Sequence, residues 1–160
     1  MKTTCIVGIL VVGWMMASAA STLAADKPGI HDALAAKVSF AWDNDSLASG
    51  LLALEKMVKA EHPGFRIRIV GGDLQFEGIT RNQRVRGVKL EDDTVAEVLT
   101  ALVLKANPIS LVKDSRDPRL KLVWVIGADP AEPGVQAVLV TTRKGAAKRG
   151  EKLPEVFLPR

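Results

Sequence analysis

Two carboxylates, Asp43 and Asp45, stand one residue apart beside Trp42, and they are the nearest approach to a catalytic pair in the chain. Acid–base hydrolysis of a glycosidic bond needs two such acids facing each other across a cleft. Two acids and a serine just ahead of a helical run serve equally well as turn and cap residues. Asp43-Asn44-Asp45-Ser46 leads into Leu47, Leu51, Leu54 and Val58 at helical spacing, so the cluster reads first as a cap. The two histidines, His31 and His62, have no second histidine or cysteine at metal-ligand spacing. His62, beside Pro63, suits the negative end of a helix dipole. Gly71-Gly72-Asp73 could cradle a phosphate, but no Lys-Ser/Thr follows and no helix is expected to begin there. It reads as turn chemistry. No catalytic residue, metal ligand or cofactor is therefore expected.

Arginines form the second constellation. Arg66 and Arg68 alternate with Phe65, Ile67 and Ile69, so they point away from the apolar face of a strand. Arg84 and Arg86 flank Val85 in the same way. If the two strands pair, the four make one basic outer face, with Lys89 beside it. A guanidinium can hold a carboxylate through two parallel hydrogen bonds. Arg66, Arg68, Arg84 and Arg86 are thus the candidate partner-binding residues. The formal net charge is +4, yet the segment from Arg143 to Arg160 carries six positive and two negative groups, which leaves the body near neutral. The chain has no tyrosine, and no aromatic interleaves the arginines. Nucleic-acid readers concentrate charge and stacking aromatics on the folded body, so no nucleic-acid partner is expected.

The elements that must position these groups are legible in order. Residues 1–25 read as a signal peptide: Lys2, the uncharged apolar run Ile6–Met16, then the small residues Ala17-Ser18-Ala19-Ala20, with a cut after Ala24 or Ala25. The alternative is an uncleaved anchor. Cys5, the only cysteine, leaves with that segment, so the mature chain has no disulfide or thiolate chemistry. Such a chain fits a bacterial envelope, periplasmic or extracellular, and should have no membrane span once the signal is removed. Residues 26–37 form a leader. Val38, Phe40 and Trp42 alternate as a strand, and the first helix follows. Gly50 within it suggests a close approach of another group.

A strand from Phe65, a long loop over Gly71–Gln83 and a strand through Arg84–Leu90 come next, with Gly87 as the natural place for a bulge. Thr94 and Glu97 make a capping box ahead of Val95, Val98, Leu99, Leu102 and Val103, which share one helix face. Asn107-Pro108 stops that helix. Leu122–Ile126 is apolar on both faces and reads as a central strand. Val135–Thr142 is the last strand, and residues 143–160 read as a basic flexible tail. The fold class is a single small α+β domain of β-α-β-β-α-β-β order, two helices packed on small sheets.

This order resembles the short N-terminal domain shared by secretins and TonB-dependent receptors, over Val38 to Thr142. The residues carrying the likeness are Ser46-Leu47 with Leu51, Leu52 and Leu54; Gly64-Phe65 leading into Ile67 and Ile69; Val85 to Leu90; Thr94, Val95, Glu97, Val98 and Leu99; and the hairpin of Leu122–Ile126 with Val138–Val140. The likeness implies a non-catalytic periplasmic domain that docks other envelope proteins. The chain departs from the pattern in a longer central loop, a longer Pro108–Arg119 connection, and the lack of a barrel or channel after it. The expectation is a non-catalytic envelope binding or adaptor domain, its partner another envelope protein. Two alternatives stay open: an enzyme or enzyme subunit using the acids near Trp42, and a polyanion or nucleic-acid binder using the arginine face and the tail.

Overall fold

A computed structural model describes residues 29–160; the signal peptide expected over residues 1–25 and the first three residues of the leader lie outside them. The described residues form a small α+β domain. In order they make α1 (Ile30–Ala35), β1 (Lys37–Trp42), β2 (Asp45–Ser46), α2 (Leu47–Lys59), β3 (Ile67–Ile69), α3 (Gly71–Phe76), β4 (Arg84–Val85), β5 (Val88–Thr94), α4 (Val95–Lys105), β6 (Leu122–Ala128), β7 (Gln136–Thr142), α5 (Arg143–Arg149) and a single 3-10 turn (Glu155–Phe157). The expected order persists as β1-α2-β3-β4/β5-α4-β6-β7, with short elements inserted.

The helix α4 sits at the centre because its apolar stripe is wide. Val95, Val98, Leu99, Leu102 and Val103 are all wholly buried, against β5 on one side and β6 on the other. Its start is the expected capping box. Thr94 Oγ1 accepts from the Glu97 N–H at 3.2 Å, and the Glu97 carboxylate accepts from the Thr94 N–H at 2.7 Å. The Thr94 hydroxyl also donates to that carboxylate at 2.7 Å, and this bond first, then the one from the Thr94 N–H, holds the Glu97 carboxyl below its ordinary range. The other long helix, α2, begins at Ser46, whose Oγ accepts from the Ser49 N–H at 3.1 Å. Leu47, Leu51, Leu54 and Val58 bury its inner face. Gly50 permits the close approach its sequence suggested: a Cβ there would lie 3.0 Å from Trp42 Nε1.

Three small sheets enclose these helices: the ribbon β1-β5, the pair β2-β4, and a three-stranded sheet of order β3-β7-β6. β3 runs parallel to β7 and β6 antiparallel to it. The sheet is covered on both faces, since Val125, Leu139 and Ala146 form a second apolar cluster away from the main core.

Several expectations are corrected. The stretch Arg84–Leu90 is not one strand. It breaks at Arg86-Gly87, where Gly87 takes φ 63°, and its halves join different sheets. Val85 and Val88 can therefore both be buried without a bulge at Gly87. The bulge lies instead where Ser39 faces an extra residue of β5, with Asp92 at φ 57°. A helix does begin at Gly71, in what read as loop, and it buries Leu74. The leader reading fails from Ile30 onward, because α1 buries Ala33 and Leu34 and β1 starts at Lys37. The flexible-tail reading fails too. α5 opens with Thr142 Oγ1 accepting from the Gly145 N–H, and Phe157 is wholly buried edge-on to Trp124, with ring centroids 6.0 Å apart. Arg143 fastens this return, donating from Nε to Leu120 O at 2.9 Å and from Nη2 to the carbonyls of Ser115, Asp117 and Phe157. Finally, β6 is an edge strand and β7 the central one.

Candidate functional site

The acids beside Trp42 do not converge on a cleft. Asp43 Oδ1 accepts from the Gly87 N–H at 2.8 Å and so holds the break between β4 and β5. Asp45 accepts from the N–H of Ser46, while Ser46 itself is the N-cap. Both acids organise backbone, though neither is the cap their sequence suggested. Among the described residues, no three His, Cys, Asp or Glu side chains are grouped so as to hold a metal.

The structure does not bring the four arginines onto one sheet. Arg66 and Arg68 flank Ile67 on the three-stranded sheet, and Arg84 belongs to the pair β2-β4, so the expected face of paired central strands does not form. The first two are not free charges. Arg68 Nε donates to Asp129 Oδ1 at 3.2 Å and Arg68 Nη2 lies 3.1 Å from Asp129 Oδ2. Arg66 Nη2 reaches Glu132 at 3.4 Å. The Asp129 side chain is wholly buried. Its carboxyl is held below the ordinary range first by the Ala131 N–H, against the opposing effect of burial, and then by Arg68 and Arg66. Arg84 donates to Asn44 Oδ1 at 3.3 Å, and Arg84 and Arg86 both remain exposed.

A better-formed surface lies along β6. The N–H of Arg143 donates to Lys121 O at 3.0 Å, and the N–H of Asp129 to Val135 O at 2.8 Å. Antiparallel pairing alternates, so the odd-numbered residues of β6 turn their main-chain groups toward β7. Leu122, Trp124, Ile126 and Ala128 turn theirs outward, where among the described residues no strand follows and nothing bonds them. The inner half of this edge is closed: Leu122 and Trp124 are buried. At Ile126 and Ala128 it opens.

That opening adjoins a groove of about 570 Å³ whose walls are α1 and the returning C-terminal segment. Leu34, Trp124, Ile126 and Leu153 make it apolar, and His31 and Lys152 stand in its lining. Trp124 is fixed by its indole N–H, which donates to Thr100 Oγ1 at 3.0 Å. Lys152 makes no ion pair among the described residues, in contrast to Lys121 and Lys144, both spent on Glu77. No local pattern announces this site. Edge status depends on pairing order, and a strand apolar on both faces looks central whether or not a third layer covers its edge.

No known protein family, curated protein or solved structure matches the chain. Among the described residues no helix is long and apolar enough to cross a membrane.

Proposed function

We propose that this chain is an exported, non-catalytic domain that binds another protein of the cell envelope. The observation that carries the reading is the open edge of β6 at Ile126 and Ala128, set beside an apolar groove. Unpaired N–H and C=O groups on a sheet edge are a template for a further strand, and strand addition is a common mode of protein recognition. The apolar run and small residues after Lys2 support export. The likeness of Val38–Thr142 to the periplasmic docking domain of secretins and TonB-dependent receptors supports the adaptor role. The arginines contribute less to this reading than their spacing suggested, because Arg66 and Arg68 already hold Asp129 and Glu132.

Site-specific photo-crosslinking in the producing cells tests the reading. A photoreactive residue at Ala128 should give one dominant adduct with another protein, while the same residue at the exposed Glu61, on the loop after α2, should not. No adduct from Ala128, or the same pattern from both positions, would sink the proposal.

A further inference from the structure

We infer that the occupant of the β6 groove is an extended peptide segment with alternating apolar residues and one carboxylate, the carboxylate placed against Lys152. This rests on the binding-domain reading and specifies its ligand. The main-chain geometry asks for a strand: Ile126 and Ala128 offer two outward N–H and two outward C=O groups in the spacing only an extended chain repeats. A helix laid in the same groove would satisfy its own backbone and leave those groups unmet.

The groove then sets the side chains. Residues of an added strand point alternately to its two faces, so every second one would enter the space between α1 and the C-terminal segment. What it meets there is Leu34, the Trp124 indole and Leu153, all apolar. The Trp124 N–H is already used on Thr100 Oγ1, so the indole offers the ligand a flat apolar wall and no donor. Charge sets the last requirement. The groove's lining holds Lys152 and His31 but no carboxylate. Of the neighbouring acids, Glu97 closes the capping box on Thr94, Glu151 takes Arg149 at 2.8 Å and Asp32 accepts from the Gly29 N–H, while the exposed Glu155 makes no ion pair with Lys152. Lys152, exposed and without an ion pair among the described residues, is left for the ligand. An acidic side chain or a free C-terminal carboxylate supplies the same chemistry.

A phage library of random dodecapeptides, panned on the purified mature domain, tests this. Enriched sequences should alternate apolar residues over at least four positions and carry Asp, Glu or a free C-terminus. Ala128→Pro removes one outward N–H and leaves the ladder to β7 intact, so it should abolish binding of the enriched peptides. Ile126→Lys, which puts a second cation in the groove, should do the same through the side chain if the proline variant fails to fold. Lys152→Gln should weaken binding by up to about fivefold, the range of an exposed ion pair, and an amidated, Gln-substituted peptide should lose that difference. No enrichment, or enriched peptides that bind Ala128→Pro and Ile126→Lys undiminished, would overturn the strand. Enriched peptides without a carboxylate, unaffected by Lys152→Gln, would overturn the charge assignment. Failure of the strand with an intact crosslink from Ala128 would leave a binding domain whose partner docks by a folded surface, whereas failure of the charge alone would leave an uncharged extended peptide as the ligand.

Discussion

The C-terminal return is the part of the molecule whose order is least expected from composition, and replacing Phe157 by alanine tests it. The ring is wholly buried and meets Trp124 edge-on, at 6.0 Å between centroids and 75° between planes. Removing it forfeits the transfer of the ring from water and leaves a cavity, together about 3–5 kcal/mol for a buried Phe→Ala change. Roughly 0.5–1.5 kcal/mol of that belongs to the aromatic pair. The Phe157 carbonyl still accepts from Arg143, so the backbone anchor survives and no buried donor is orphaned. At about 3 °C per kcal/mol for a domain of this size, the melting temperature should fall by roughly 10 °C or more. The neighbouring Leu158, nearly half exposed, is the control; Leu158→Ala should cost about 1 kcal/mol or less. Urea unfolding followed by tryptophan fluorescence and far-ultraviolet circular dichroism reads both, with the midpoint moving and the slope unchanged. If the two variants unfold at the same midpoint, or a chain ending at Gly150 melts like the full one, the segment is not docked and the reasoning fails.

Two further outcomes follow from the packing and the charges. Leu99→Ala and Leu102→Ala should each cost about 2–5 kcal/mol and Lys105→Ala, at the exposed end of the same helix, within about 0.5 kcal/mol, as read from denaturant midpoints; equal small losses would mean the wrong face of α4 is buried. Burial pushes the Asp73 carboxyl up from its ordinary 3.8, but hydrogen bonds from Arg149 and Thr141 and the charges of Arg149 and Lys148 outweigh it and hold it lower. A carboxyl depressed in the folded state contributes stability that is complete above about pH 4 and is lost as pH falls through the folded value. Asp73→Asn should therefore flatten the acid limb of the stability profile below about pH 4, and an unchanged limb would refute the pairing.

The structure separates what local pattern can carry from what it cannot. The core of α4 and its capping box were legible because both are written within one element: Thr94 and Glu97 three residues apart, and apolar residues at the helical period. The burial of Val85 and Val88 was legible too, and so was the need for Gly87 between them, but not the form the break takes. A change of sheet and a bulge solve the same alternation problem, and only the partners, Ser46 for Arg84 and Trp42 for Val88, distinguish them. The arginines failed for a related reason. Alternation correctly placed Arg66 and Arg68 off the buried face of β3, but their partners Asp129 and Glu132 lie in a distant turn, and no spacing announces such a pair. The C-terminal return was the least legible. Arg143 is held by main-chain carbonyls, which every residue possesses, and Phe157 is one aromatic in a stretch without period. That return also decides how the β6 groove is built. Leu153 and Phe157 supply apolar cover that lets an edge strand be apolar on both faces, while Ile126 is left half-buried and Ala128 exposed. A strand that looks central in sequence can thus keep a few residues of open edge, and the segment that hides the rest of the edge forms a wall of the site.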